Sequence, residues 1–253
     1  MAAQLRAAGY EVLELPALRL LPIDAPAPDP AAFDLVMFVS GNAVRAYLDA
    51  RAARGAGAWP AGVPAAVVGP ASAAALRAHP GFGAAPAVVQ PPPAAGHFDS
   101  EALWRELQAM PRLPARVLIV RGGSGPQGSG RDWLAERLRE GGSRVAVHQA
   151  YRREPAGWDA AQRATLLRLA QAGRPALWLV TSGEGADALR AGLAGLGLLP
   201  WWRRCRLLAT HPRIAGHLIA IMDNEEAGTS AAPMLQTCSP SDDDILAAIK
   251  SSL

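Results

Sequence analysis

The chain has 253 residues, a formal net charge of +3, 50% hydrophobic residues and 19% charged residues. This length suits one large domain or two ordinary ones, and the composition is typical of a globular protein with a hydrophobic core. No apolar run reaches the roughly 18 residues that a membrane-spanning helix needs, and the first residues contain no secretory signal. We therefore expect a cytoplasmic protein without a membrane partner.

The basic residues are almost all arginines, since Lys250 is the only lysine. Arginine favours planar, bidentate pairs with carboxylates and phosphates, although a GC-rich genome would produce the same bias. No dense basic run is present, which argues against nucleic acid as a partner. Cys205 and Cys238 form no motif, so we expect two reduced thiols and no metal site.

Short apolar runs alternate with helix-length segments along the whole chain. This alternation predicts right-handed βαβ units and parallel sheets, and hence an α/β fold. The expected elements in chain order are helix 2–8, strand 11–15, an extended segment 17–23, strand 34–40, helix 42–53, strand 65–69, helix 71–78, strand 86–90, helix 100–109, strand 117–120, a glycine-rich loop 122–130, helix 131–141, strand 144–150, an extended segment 151–155, helix 159–172, strand 176–181, helix 184–195, strand 206–210, helix 213–221, a flexible surface insertion 223–232, strand 234–238 and helix 241–251.

Several segments of the chain repeat one another. Two of the matches share an offset of 142 residues, which also relates Ser40 to Ser182, and a third has an offset of 133 residues. Such self-similarity indicates a duplicated unit, and two copies of one α/β domain would have a cleft between them, a common place for a small-molecule site. The matching pairs are 34–48 with 176–190, 66–70 with 208–212, and 5–12 with 138–145.

Small polar residues and glycines follow most of the expected strands. In open α/β sheets ligands bind outside the carboxyl ends of the strands, and the N-terminus of a helix attracts anions. Ordinary helix capping explains the same residues without any ligand, and both interpretations stay open. The segments concerned are 40–42, 69–72, 121–123, 181–183 and 210–213.

The segment 123–128 fits the glycine pattern of a dinucleotide-binding loop. However, Pro126 removes a backbone N–H that a pyrophosphate would need, and the following strand supplies no acidic residue for a ribose. We therefore expect neither a nicotinamide nor a flavin cofactor.

Taken in order, seven short motifs make the chain resemble the uroporphyrinogen-III synthase family over nearly its whole length. The motifs are Phe38-Val-Ser40-Gly-Asn42, Val68-Gly69-Pro70-Ala-Ser72, Phe98-Asp-Ser100-Glu101, Leu118-Ile-Val-Arg121-Gly122 with Arg131 and Leu134, Tyr151-Arg-Arg153, Thr181-Ser182 with Glu184-Gly-Ala, and His211-Pro212-Arg213-Ile-Ala215. The resemblance implies two similar flavodoxin-like domains joined by a two-stranded linker, with the active-site cleft between the domains. Residues 1–16 and 156–253 would form one domain, residues 24–149 the other, and residues 17–23 and 150–155 the linker.

The resemblance also implies an activity. The family closes the linear tetrapyrrole hydroxymethylbilane into uroporphyrinogen III, inverting the last pyrrole ring and losing water, and it uses no metal or organic cofactor. Such a reaction needs a proton donor for the departing hydroxyl and a site that holds a flexible chain in one geometry. A catalytically inactive relative and a two-domain binding protein for small anions are the alternatives, and we expect a monomer.

By the same resemblance, Tyr151 would assist departure of the hydroxyl, although a tyrosine that merely packs in the linker remains possible. The substrate carries eight carboxylates, which suit arginines and helix N-termini. Ser72 stands where many relatives have threonine, and the Trp201-Trp202 pair is interpreted as packing. The expected substrate-binding residues are Ser40, Asn42, Ser72, Arg121, Gly122, Thr181, Ser182 and Arg213.

The duplication predicts one further strand. Strand 117–121 precedes segment 138–145, but no counterpart precedes segment 5–12, and family members begin with such a strand. A sheet without it would leave strand edges unpaired. We therefore expect the natural protein to begin roughly 15 to 25 residues earlier, as typical strand and loop lengths suggest.

Overall fold

A computed structural model of the protein describes residues 1–83, 86–92, 99–124, 133–223 and 234–252. The chain divides into two compact units. Unit 1 comprises Met1–Arg19 and Pro155–Leu253, and unit 2 comprises Leu20–Glu154. The chain passes between the units within strand β1 (Leu18–Pro22) and at the end of strand β6 (Arg144–Pro155).

The main sheet has six strands in the order β1-β6-β5-β2-β3-β4. The neighbouring strands from β6 to β4 pair in parallel, which confirms the expected α/β fold with parallel sheets. The central strands are continuous apolar runs because both of their faces are covered by helices. The remaining strands of this sheet are β2 (Leu35–Phe38), β3 (Ala65–Val67), β4 (Val88–Val89) and β5 (Arg116–Ser124).

Two hydrophobic cores lie on opposite faces of this sheet. Val36, Phe38, Leu118 and Val120 pack with helices α2 and α3, and we call this side the α2 face. The alternate residues of the same strands, including Leu35 and Ile119, pack with α4 and α5 on what we call the α5 face. The helices are α2 (Gly41–Ala53), α3 (Pro70–Ala78), α4 (Ser100–Gln108) and α5 (Trp133–Glu140), and Pro30–Ala32 forms a 3-10 turn.

Unit 1 contains a parallel three-stranded sheet in the order β7-β8-β9. Trp178 lies edge-to-face against Trp201 and Trp202, so the expected packing role of the tryptophan pair is confirmed. The elements are α1 (Ala2–Ala7), α6 (Ala160–Gln171), β7 (Leu177–Val180), α7 (Gly183–Gly195), α8 (Leu199–Trp202), β8 (Arg206–Ala209), α9 (Pro212–Asp223), β9 (Met234–Thr237) and α10 (Asp242–Ser252).

Two sequence-based expectations were wrong. Residues 11–15 form no strand, because they pair with no strand of either sheet in the described part of the chain. Gly122 and Gly123 do not begin a loop, since β5 continues through them to Ser124 in register with β6. Strand β6 runs without a break from Arg144 to Pro155, so the expected strand 144–150 continues through the extended segment 151–155. Helix α8 was not expected at all.

Two other expectations concern residues outside the described ranges. Most of the glycine pattern 123–128, with its Pro126, falls in the gap from 125 to 132, and nearly all of the expected insertion 223–232 falls in the gap from 224 to 233. Cys205 and Cys238 are free thiols, and Cys205 is buried. No helix of the described residues is long and apolar enough to cross a membrane.

Candidate functional site

Tyr151 lies near the end of β6, at an irregularity in its pairing with β5. Arg121 pairs with Gln149, but the next residue of β5, Gly122, pairs with Tyr151. Ala150 is therefore an extra residue in β6, which is the definition of a β-bulge. The Tyr151 ring is 3% exposed and belongs to the core on the α2 face.

Ser40 lies next to the phenol. It follows β2 in an extended conformation and caps helix α2, because its Oγ accepts the backbone N–H of Ala43 at 3.2 Å. The same Oγ lies 3.3 Å from the Tyr151 hydroxyl, and either group can donate this hydrogen bond. A tyrosine hydroxyl and a serine hydroxyl thus meet at the N-terminus of a 13-residue helix, where the free backbone N–H groups favour negative charge.

The other expected residues of unit 2 lie at the carboxyl end of the same sheet. Asn42, in the first turn of α2, accepts a hydrogen bond on Oδ1 from Arg45 Nη2 at 2.7 Å. Ser72, in the first turn of α3, is buried and follows a turn built on Gly69-Pro70. Arg121 is half-buried near the end of β5. Gly122 is buried directly against the Tyr151 ring.

Unit 1 places its expected residues at the carboxyl ends of β7 and β8. Ser182 caps α7, its Oγ accepting the Gly185 N–H at 3.0 Å, and the preceding Thr181 is exposed. Arg213 is exposed in the first turn of α9, and its backbone N–H donates to Nδ1 of His211 at 3.0 Å. Helix capping therefore explains why a serine stands at position 182. The side chains of Thr181 and Arg213 are exposed and accessible for a ligand.

The first turns of α2 and α7 differ in charge. The first turn of α2 contains no acidic residue, whereas the first turn of α7 contains Glu184. Farther along α7, the Asp187 carboxylate lies 2.8 Å from Nε2 of His217. Acidic side chains near a helix N-terminus compensate its positive end, so α2 has the stronger attraction for an anionic ligand.

Burial shifts the pKa values of two further side chains on the α2 face. Burial raises the pKa of Tyr47 to about 12, and its hydroxyl donates to the carbonyl oxygen of Pro28 at 2.6 Å. Burial also lowers the pKa of His148, whose ring lies edge-to-face on Tyr47. Among the described residues, no group of three or more His, Cys, Asp or Glu side chains could hold a metal ion.

Sequence reasoning missed the contact between Ser40 and Tyr151 and the reason for Gly122. The two hydroxyls are 111 residues apart in the chain, so no local pattern could join them. Gly122-Gly123 did carry a signal, because glycine inside a strand often marks a bulge or a close approach of another group. That signal was assigned to a loop.

The chain is similar to one protein family and to solved structures. The family model described as Uroporphyrinogen-III synthase HemD matches residues 1–221. A solved mutant of uroporphyrinogen III synthase from Thermus thermophilus has 18% identity and a TM-score of 0.52, over 99% of this chain and 92% of that chain. Uroporphyrinogen-III synthetase from Helicobacter pylori has 14% identity and a TM-score of 0.53, over 94% and 91% of the two chains.

At these identities the two structures show that the fold is shared. No curated protein was found to match the chain. The family model carries the assignment, because it spans most of the 253 residues and includes every candidate residue of the site. The chain belongs to the uroporphyrinogen-III synthase family.

Proposed function

We propose that this protein catalyses its family's reaction, the closure of hydroxymethylbilane to uroporphyrinogen III with inversion of the last pyrrole ring and loss of water. The match of the family model to residues 1–221 is the observation that carries the proposal. In our proposal Tyr151 assists departure of the hydroxyl group, which needs a proton before it can leave as water. The electron-rich pyrrole then bears the positive charge until the ring closes.

The hydrogen bonds at Ser40 support this role for Tyr151. Ser40 Oγ accepts the Ala43 N–H, and in our proposal it donates its own hydrogen to the phenol oxygen 3.3 Å away. A phenol that receives this bond keeps its own proton for the substrate. A general acid positioned in this way typically speeds a reaction step by about 100-fold or more.

The eight carboxylates of the substrate need several positively charged or N–H-donating partners. Arg121 and Arg213 would form charge-assisted hydrogen bonds with two of them. The N-termini of α2, α3 and α7 supply backbone N–H groups for others. The remaining members of this proposed binding set are Ser40, Asn42, Ser72, Gly122, Thr181 and Ser182.

The strand order supports the finer architecture that we propose. If β5 and β6 are numbered 1 and 2, and β2, β3 and β4 are numbered 3, 4 and 5, the order β6-β5-β2-β3-β4 becomes 2-1-3-4-5. This is the strand order of a flavodoxin-like sheet. We propose two such domains, residues 1–16 with 156–253 and residues 24–149, joined by segments 17–23 and 150–155. The enzyme would work as a cytoplasmic monomer without a cofactor and without nucleic acid as a partner.

The proposed function is tested by incubating the purified protein with hydroxymethylbilane. A separate enzyme generates this substrate in the assay. The isomers of the product are oxidised and separated by chromatography. We expect the type III isomer to form in proportion to the amount of protein added. Formation of the type I isomer alone, at the rate of the protein-free control, would show an inactive relative that at most binds the substrate.

A further inference from the structure

The β-bulge at Ala150 decides which face of the sheet receives Tyr151. Val120 on the α2 face pairs with His148, and Arg121 pairs with Gln149, so His148 and Gln149 lie on alternate faces. A regular strand would continue with Ala150 on the α2 face and Tyr151 on the α5 face. Because the extra residue shifts the register, Tyr151 pairs with Gly122 and lies on the α2 face, where Ser40 caps α2.

Gly122 provides the space that the phenol then occupies. A Cβ atom added to Gly122 would lie 2.3 Å from Cζ and 2.6 Å from the hydroxyl oxygen of Tyr151. These distances are far inside van der Waals contact, and they involve the end of the ring that carries the hydroxyl. Even a methyl group at this position would therefore push the hydroxyl away from Ser40.

We propose that Gly122 and the bulge at Ala150 form a positioning device that holds the Tyr151 hydroxyl against Ser40, and that Gly122 acts on the reaction through Tyr151. The inference rests on the proposed function of Tyr151. Bulges are found next to active sites, where they re-aim a side chain.

Gly123 offers a matched control on the same strand. A Cβ atom at Gly123 would lie 2.8 Å from Oε1 and 3.0 Å from Cδ of Gln149. These atoms form the free end of a flexible side chain, which can move aside by rotation. Gly122→Ala and Gly123→Ala thus add the same methyl group to adjacent residues, but only the first displaces the phenol.

The experiment is a double-mutant cycle on kcat for uroporphyrinogen III formation. Gly122→Ala should lower kcat by about tenfold or more, since a displaced acid loses most of its contribution, while Gly123→Ala should stay within about twofold of wild type. In the Tyr151→Phe background, Gly122→Ala should lower kcat no further, because no hydroxyl remains to be misplaced. An undiminished effect of Gly122→Ala in that background, or wild-type kcat in Gly122→Ala, would overturn the proposal.

A second readout is independent of activity. The chain has three tyrosines, so fluorotyrosine labelling gives three fluorine resonances, and the one absent from Tyr151→Phe belongs to Tyr151. Gly122→Ala should shift this resonance and Gly123→Ala should not. If this pattern holds while wild type makes no uroporphyrinogen III, the proposed function is wrong but the positioning of the ring stands. Equal shifts in both variants would contradict the positioning.

Folding of the variants is controlled by thermal unfolding. If Gly122→Ala does not fold at the assay temperature, the clash is tested by combining it with Tyr151→Leu, whose shorter side chain leaves room for the methyl group. Recovery of the Tm in this combination supports contact between residue 122 and the ring. A Tm that stays as low as in Gly122→Ala alone would contradict it.

Discussion

The Ser40-Gly41 and Ser182-Gly183 turns have the same backbone arrangement but different neighbouring side chains. Ser40 and Ser182 both cap a 13-residue helix through a hydrogen bond from the backbone N–H three residues later. A Cβ atom on Gly41 would lie 3.4 Å from Ala75, and one on Gly183 would lie 3.4 Å from His217. Each residue of the first turn lies 142 residues before its equivalent in the second turn: Ser40 before Ser182, Gly41 before Gly183 and Ala75 before His217. The structure therefore repeats the internal match seen in the sequence.

The difference between the turns lies in the side chains that surround this shared backbone. Ser40 meets the Tyr151 hydroxyl, and its helix begins without acidic residues. The helix after Ser182 instead carries Glu184 in its first turn. The backbone of the repeat therefore explains capping and helix packing in both units. Of the two turns, only the one at Ser40 has a tyrosine hydroxyl beside it and a helix that begins without an acidic residue, which is why we propose that the chemistry takes place there.

Removing the hydroxyl of Tyr151 should have the largest effect, because it makes the turn at Ser40 resemble the turn at Ser182. In Tyr151→Phe the ring still fills the core, so we expect the free energy of unfolding to fall by only about 1 kcal/mol. We expect kcat to fall by about tenfold or more, because the proton donor is lost. Steady-state kinetics and urea unfolding measure the two effects.

Tyr47→Phe is the matched control for that experiment. Tyr47 is also buried on the α2 face, but its hydroxyl donates to Pro28 rather than to Ser40. This variant should lose a similar amount of stability and keep the kcat of wild type. Equal kcat in Tyr151→Phe and Tyr47→Phe would remove Tyr151 from the mechanism.

The two capping serines can be compared directly. Ser40→Ala and Ser182→Ala should each lower the free energy of unfolding by about 1 kcal/mol, the usual effect of losing an N-cap. Ser40→Ala should lower kcat about threefold or more beyond the change in Ser182→Ala, because it also removes a neutral hydrogen bond of about 1 kcal/mol to the phenol. Equal effects of the two substitutions on kcat would show that capping is all that Ser40 does.

Exchanging charge between the helix N-termini tests the electrostatic part of the comparison. Asn42→Glu gives α2 the acidic first turn of α7, and we expect KM to rise about two- to fivefold as a carboxylate repels the anionic substrate. Asn42→Gln controls for the change of side-chain length. Glu184→Gln should lower KM by a similar or smaller factor. An unchanged KM in Asn42→Glu would mean that the substrate does not approach the N-terminus of α2.

The histidines of the two units give the smallest expected effect. Because burial lowers the pKa of His148, the unfolded chain binds a proton at this residue more readily than the folded protein does. Its contribution to stability is therefore full above about pH 6.5 and is lost as the pH falls through and below that value. In His148→Phe the loss of stability between pH 7 and pH 5 should be smaller than in wild type.

Urea unfolding at several pH values checks this sign. His217→Gln in unit 1 is the control, since the His217 side chain is 38% exposed and hydrogen-bonded to Asp187. The His217→Gln variant should still show the loss of stability between pH 7 and pH 5 that His148 causes. A pH dependence in His148→Phe as steep as in wild type would contradict the assignment.

The sequence predicted the parallel α/β fold well, because helices and central strands leave local signals. The run Leu35–Phe38 is apolar throughout, as a strand covered on both faces requires. Segment 11–15 has strand-like residues but no strand, since a strand exists only where a neighbour completes its hydrogen bonds. The fold was thus predictable wherever the signal was local, and not where it depended on a partner.

The candidate site was predictable only as a set of residues. Ser40, Gly122 and Tyr151 were all named from motifs, but their mutual contact depends on the pairing register of β5 and β6. A single extra residue, Ala150, changes which face Tyr151 occupies, and the local signal at Gly122-Gly123 does not say which residue is extra. The motif alone named Gly122 as a substrate-binding residue, and the structure adds that it lies directly against the tyrosine ring.

The most direct test of the account is the isomer ratio that wild type and Tyr151→Phe produce from the same hydroxymethylbilane. Unassisted closure gives the type I isomer, so the fraction of type III reports how well the enzyme competes with it. We predict mostly type III from wild type and, at the same enzyme concentration, a clear increase of type I from Tyr151→Phe. Only type I from wild type, or the same ratio from both proteins, would contradict the account.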